Sequence, residues 1–271
     1  MDRLYPIGIQ TFEKIRQGGY CYVDKTALVY QLAQSGQYIF LSRPRRFGKS
    51  LLLSTLEAYF QGKKELFEGL AMEKLEQDWT KYPVLHLDLN AQKYDSPAAL
   101  EEILNDRLSK WESVYGSHPS EKSLSLRFQG IIQRAVEQCG RNVVILVDEY
   151  DKPLLQSIGN ESLQDEYRSQ LKAFYGVLKS QDAYIRFALL TGVTKFSKVS
   201  IFSDLNNLND ISLDDEFATI CGITEEELYG SFTEDIRLFS EKNQMSVEET
   251  RQKLKEWFDG YHFSTHCPDI Y

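Results

Sequence analysis

The sequence predicts an α/β fold in which an open, mostly parallel sheet is covered by helices and followed by a small C-terminal helical lobe. Short apolar runs alternate with segments of helical period, giving a βαβαβ pattern. One run, residues 143–147, contains no polar residue and so reads as a strand covered on both faces. After about residue 224 only helical patterns follow. The expected division is therefore a main domain over residues 1–223, including the N-terminal segment, and a helical lobe over 224–271 whose ending looks truncated.

The elements follow in order. Tyr38, Ile39, Phe40 and Leu41 form the first strand, and Leu52, Leu56, Tyr59 and Phe60 behind it share a helical face. Residues 84–88 form the second strand. Ser96-Pro97 marks a helix start, since a serine hydroxyl accepts a backbone N–H there and proline fits the first helical position. Leu100, Ile103, Leu104, Leu108 and Trp111 continue that helix, and Leu124, Phe128, Ile131, Ile132, Ala135 and Cys139 stripe the next. After the strand at 143–147, Tyr167, Leu171, Phe174, Tyr175 and Leu178 line a helix leading into a strand at 184–190. In the lobe, Thr224-x-x-Glu227 and Ser246-x-x-Glu249 have the form of capping boxes.

Composition narrows the function. With 271 residues, 42% hydrophobic and 13% aromatic, the chain has ample material for a core and is not disordered over its length. The net charge of −9 argues against a protein that coats nucleic acid or lies on a membrane, both of which need a positive field over most of the surface. No apolar run reaches the ~18 residues of a spanning helix, and the opening residues lack a signal-peptide core, so the expectation is a cytoplasmic protein. Four cysteines, Cys21, Cys139, Cys221 and Cys267, form no CxxC pair and read as reduced thiols.

Three strand ends carry the chemistry. Between the first strand and its helix lies Ser42-Arg43-Pro44-Arg45-Arg46-Phe47-Gly48-Lys49-Ser50, the placement a phosphate-binding P-loop requires. In that reading the loop from Arg43 to Leu51 cradles phosphates through successive backbone N–H groups at the helix N-terminus, Gly48 permits their close approach, Lys49 reaches the β- and γ-phosphates, and the Ser50 hydroxyl ligates Mg²⁺. Arg43 stands where the first glycine usually falls. The bland alternative, a basic helix N-terminus without a ligand, is disfavoured because cations there oppose the helix dipole. Asp148-Glu149, directly after the apolar strand, would supply a Mg²⁺-shell carboxylate and a general base for the attacking water; an ordinary acidic strand end is the competing reading. Thr191-Gly192 ends another strand, where the Thr191 hydroxyl would sense the γ-phosphate or water, or merely begin a turn.

Together these stretches, with Tyr5-Pro6-Ile7-Gly8, Tyr22-Val23-Asp24-Lys25-Thr26, Val147-Asp148-Glu149-Tyr150-Asp151-Lys152-Pro153, Leu190-Thr191-Gly192-Val193-Thr194-Lys195-Phe196-Ser197 and Trp257-Phe258-Asp259-Gly260-Tyr261, resemble the bacterial AAA-ATPase-like family. The resemblance covers nearly the whole chain and includes the RPRRFGKS form of the loop. It implies a P-loop NTPase of the additional-strand type, with ATP and Mg²⁺ as ligands and Lys49, Ser50, Asp148 and Glu149 in the roles just given. Members often carry a further nuclease-like domain, and none is expected within residues 1–271.

Arg43, Arg45, Arg46 and Lys49 would neutralise phosphate or meet a partner; as a nucleic-acid patch the cluster is small and has no interleaved aromatics. Asp24-Lys25-Thr26 reads as a capped helix start more readily than as a base or ribose contact, and Lys195 as an exposed lysine more readily than as a phosphate ligand. His86, on a strand, reads as a core or sheet-face histidine. His262, His266 and Cys267 sit too near Gly260 and Pro268 for a helical zinc site. Arg168, Arg186, Arg237 and Arg251 are alternative arginine fingers. The leading expectation is a Mg²⁺-dependent ATPase that switches its lobe, or a protein partner or downstream domain, between two states. The alternatives are an ATP-binding interaction module with negligible hydrolysis and a small-molecule kinase. No Asn-Lys-x-Asp element reads guanine, and ATP over GTP rests on the resemblance.

Overall fold

The computed structural model describes residues 4–195, 208–258 and 260–271. Its centre is a five-stranded sheet: β1 (Tyr38–Ser42), β2 (Val84–Asp88), β3 (Val143–Asp148), β4 (Ile185–Gly192) and β5 (Asn209–Asp210). The spatial order is β2-β3-β4-β1-β5 and every pairing is parallel. Thus β4 stands between β1, which leads into the P-loop segment, and β3, which ends in Asp148. That insertion is the additional strand, and the fold is that of a P-loop NTPase.

Alternation along the strands builds two cores. Tyr38, Phe40, Ile145, Val147, Ala188 and Leu190 face one side. There they meet α5 (Pro97–Tyr115), α6 (Leu124–Cys139) and α8 (Glu161–Ser180), the last preceded by the short α7 (Lys152–Gln156). Ile39, Leu41, Val144, Leu146, Phe187 and Leu189 face the other. That side is covered by α1 (Phe12–Gln17), α2 (Thr26–Ser35) and α3 (Lys49–Phe60), with the short α4 (Ala71–Leu75) packed on α2. Every residue of β3 is buried, as expected for a strand with no polar face, whereas edge strand β2 alternates. Among the described residues no helix is long and apolar enough to cross a membrane.

Several expectations shift by a residue or a role. The third strand reaches Asp148 itself, and Tyr184 belongs to the turn before β4. Ser96 does precede α5 with Pro97 at its first turn, but its side chain makes no cap. Its carbonyl instead accepts the Tyr167 hydroxyl at 2.6 Å. Asp24 caps the start of α2 through the backbone and hydroxyl of Thr26, at 2.8 and 2.7 Å. Beyond β5 come α9 (Glu225–Ser231), α10 (Thr233–Lys242) and α11 (Val247–Phe258). Both capping boxes form, Thr224 with Glu227 and Ser246 with Glu249. The region is not helix alone: Ile270 makes antiparallel bridges with Thr224 and Tyr261, returning the chain end to the start of α9. Phe196, Ser197 and Asp259 lie outside the described residues.

The end of β4 is packed to contact. A Cβ on Gly192 would lie 2.4 Å from the Tyr150 ring and 2.8 Å from Asp151 Oδ1. Gly192→Ala should lower unfolding stability by about 1–3 kcal/mol, the usual cost of overpacking. Urea denaturation should show a lower midpoint at unchanged slope.

Candidate functional site

All strands being parallel, the carboxyl ends of β1, β3 and β4 lie along one edge of the sheet, where open α/β sheets place their ligands. Leu41 pairs with Thr191 and Ser42 with Gly192, while Val147 pairs with Leu190. The three predicted strand ends therefore converge.

At the first, Gly48 takes the left-handed conformation (φ 86°) as the residue before α3, and Arg46 is also left-handed (φ 69°). Such a turn directs successive N–H groups inward as an anion nest, continued by the first-turn N–H groups of α3, which have no intrahelical acceptor. No side chain caps this helix. Lys49 is buried and donates to the carbonyls of Arg43 and Pro44, both at 3.1 Å, so its ammonium lies against the loop itself.

The next residue reaches across the sheet. Ser50 Oγ donates to Asp148 Oδ2 at 2.5 Å, and Thr191 Oγ1 donates to Asp148 Oδ1 at 2.8 Å. Both oxygens of a carboxylate 4% exposed are thus engaged by hydroxyls, one from the end of β4 and one from the first turn of α3. Glu149 follows in a left-handed conformation (φ 54°) that a side chain rarely adopts. Burial raises its pKa above the ordinary carboxylate value; Asp148 and Asp151 add to the rise, and Lys49 and Lys152 oppose it.

Arg43 departs from its expected place among the phosphate ligands. It is not left-handed; the loop takes that conformation at Arg46 instead. Its N–H donates to the Gly192 carbonyl at 3.1 Å within the sheet. Its guanidinium, 1% exposed, points away from the nest and donates to the carbonyls of Ser42, Ser212, Phe217 and Ala218 at 2.8–3.3 Å. The Phe263 ring lies 4.0 Å from it. Burial pulls its pKa down, and the Asp210 carboxylate is among the charges that oppose the fall. Arg45 and Arg46 remain exposed. Phe47 also turns to the chain end: it lies 4.6 Å from the Tyr261 ring and 5.6 Å from Phe263, and its carbonyl accepts Gly222 N–H at 3.0 Å.

Beside the loop, on the side of Arg46, Phe47, Gly48 and Leu51, lies a largely apolar cavity of about 340 Å³. Tyr5, Pro6, Tyr22 and Val23 of the N-terminal segment line one wall, and Ile223, Phe232 and Tyr271 line another. Its size falls in the range of about 300–1,000 Å³ typical of small-molecule sites. Lys25 also borders it, held by the Thr219 carbonyl at 2.7 Å and Glu227 at 2.5 Å.

The remaining candidates lie elsewhere. Lys195 is exposed and pairs with Asp210 at 3.4 Å. Arg186 sits near the opposite end of β4, donating to Ala33 O; Arg168 pairs with Asp165, Arg237 with Glu234 and Glu241, and Arg251 covers the Tyr229 ring. His86 meets Glu57 at 2.8 Å, and His262 meets Asp269 at 2.8 Å.

Fold and loop define a P-loop NTPase class of protein. The chain belongs to the family described as predicted AAA-ATPase, which matches residues 6–202. It is also 41% identical over 261 residues to an uncharacterized protein in the vnfD 5' region of Azotobacter chroococcum mcd 1. The match covers 96% of this chain and 48% of that protein, so the chain spans about half its relative's length.

Sequence reasoning missed the inward turn of Arg43 and the carboxylate of Asp151. Neither carries a local signal, because the partners of Arg43 lie about 170 residues away and those of Asp151 about 40. Replacing Arg43 by Met should leave buried carbonyls unpaired and cost at least about 1–3 kcal/mol. Arg45→Ala, on the exposed side, should stay within about 0.5 kcal/mol of wild type. Parallel denaturation curves of the two variants test the contrast.

Proposed function

We propose that this protein binds Mg·ATP and hydrolyses it, using the cycle to shift the C-terminal region that packs on its P-loop. The observation that carries this reading is the Asp148 carboxylate held between Ser50 and Thr191, with Glu149 in a strained backbone conformation beside it. A hydroxyl and a carboxylate 2.5 Å apart are hard oxygen donors suited to Mg²⁺, which keeps several waters and takes one or two protein ligands. Ser50 and Asp148 would hold the ion, whose contribution is to offset charge on the phosphate oxygens. The nest at Arg46–Gly48 and the first turn of α3 bind the phosphates, and Lys49 exchanges the carbonyls of Arg43 and Pro44 for phosphate oxygens. Glu149 orients a water and accepts its proton, a task helped by a raised pKa. Thr191 fixes Asp148 and faces the terminal phosphate.

The cavity beside Gly48 and Leu51 suits the base, since its apolar walls accept a flat ring while the nest holds the charged end. Phe47 supplies the link to the switch: one residue before Gly48, it packs on Tyr261 and Phe263, so rearrangement of the loop displaces those rings.

In the test, Mg·ATP raises the melting temperature of wild type and Glu149→Gln but not of Lys49→Ala, as binding to the folded state requires. Phosphate release by wild type falls at least about 100-fold in Glu149→Gln, the scale of a lost general base. Equal turnover in that variant would overturn the role of Glu149; stabilisation without any turnover would favour a binding module. A separate check addresses the cavity. Val23→Trp should weaken ATP binding by about tenfold or more, equivalent to ~1.4 kcal/mol. Inorganic triphosphate, which has no base, should bind both proteins equally in a calorimetric titration.

A further inference from the structure

We infer that Asp151 is a positioning residue: its buried carboxylate clamps the loop after β4 to the turn after β3 and so holds Glu149 and Thr191 in one arrangement. The inference rests on the hydrolytic reading above.

Asp151 is fully buried, yet its pairing is with neutral donors of one short loop. Its Oδ2 accepts the N–H of Val193 at 3.1 Å, the N–H of Thr194 at 2.8 Å and the Thr194 hydroxyl at 2.8 Å. Tyr150 reinforces the clamp, its N–H donating to the Thr191 carbonyl at 3.0 Å and its hydroxyl to the Thr194 carbonyl at 2.8 Å. Gly192 lies between them with no room for a side chain. Residues 150–151 and 191–194 therefore form one fastened unit, and Glu149 stands at its edge.

Glu149 needs such support because a left-handed backbone at a residue with a side chain persists only where its surroundings impose it. On one flank Asp148 is held by Ser50 and Thr191; on the other, Tyr150 and Asp151 are held by the β4 loop. A carboxylate also suits the position better than an apolar residue would, since an apolar residue would leave two loop N–H groups without acceptors. A shift of about 1 Å in a catalytic group costs on the order of 100-fold in rate, so loss of the clamp should appear in turnover rather than in nucleotide affinity.

The experiment compares wild type, Asp151→Ala, Asp151→Asn and Thr194→Ala. Asn keeps an acceptor oxygen toward the loop, and Thr194→Ala removes only the hydroxyl donor. The expected result is a kcat on the order of 10–100-fold lower in Asp151→Ala with ATP affinity within about twofold of wild type, restoration in Asp151→Asn, and a smaller loss in Thr194→Ala. Independently of turnover, amide hydrogen exchange at Val193 and Thr194 in nucleotide-free protein should quicken in Asp151→Ala and not in Asp151→Asn. Unchanged kcat in Asp151→Ala, or loss of affinity in step with kcat, overturns the positioning role. Exchange that is unaltered overturns the clamp itself. Wild type that binds ATP without turnover overturns the hydrolytic reading, and with it the link to catalysis, while the exchange data still decide the clamp. If Asp151→Ala does not fold, Thr194→Ala against Asp151→Asn carries the same comparison.

Discussion

The Asp148 carboxylate is the constraint on which the site's geometry depends. It is buried, and a buried charge is costly unless its acceptors are filled. Ser50 and Thr191 fill them, and in doing so they fix the first turn of α3 and the end of β4 against β3. Since β4 lies between β1 and β3, the loop and the carboxylate are two interstrand steps apart, about 9–10 Å. Thr191 stands at the end of the strand between them and bonds to the carboxylate. Everything else at this edge of the sheet, from the parked Lys49 to the strained Glu149, is arranged around these two bonds.

Much of this was legible in the sequence because it is local. Four strands lie where apolar runs place them, and Asp148 and Thr191 fall at strand ends where residues beyond an apolar run must fall. Gly48 takes the positive φ that its place before a lysine and a helix implies. What escaped is long-range or weakly apolar. Strand β5 is only Asn209–Asp210, two polar residues paired with Ile39 and Phe40, and nothing in their composition marks a strand. Arg43 reads as one more cation of a basic loop, yet its side chain belongs to a set of carbonyls contributed by chain far downstream. Ser96 shows the reverse: the position was right, but a distant tyrosine hydroxyl claims its carbonyl and its own hydroxyl caps nothing.

The P-loop faces two environments. Its backbone and Lys49 look toward the sheet edge, where Asp148, Glu149 and Thr191 gather. Its Arg43 and Phe47 side chains look the other way, into Phe263, Tyr261 and the carbonyls of Ser212, Phe217 and Ala218. A short loop is thereby placed between that cluster of side chains and the C-terminal region. The ring contacts of Phe47 with Tyr261 and Phe263 join that loop to the C-terminal region.

The buried guanidinium also bears on how the chain is made. During synthesis the segment bearing Arg43 emerges long before Ser212, Phe217, Ala218 and Phe263, the groups that accept and cover it. Until then the side chain is better hydrated than buried, and the loop has no reason to adopt its final course. The sheet strands can assemble earlier, but the nest matures only when the last part of the described chain arrives. A nascent chain halted before residue 212 would thus hold most of the fold while remaining unable to shape its own loop.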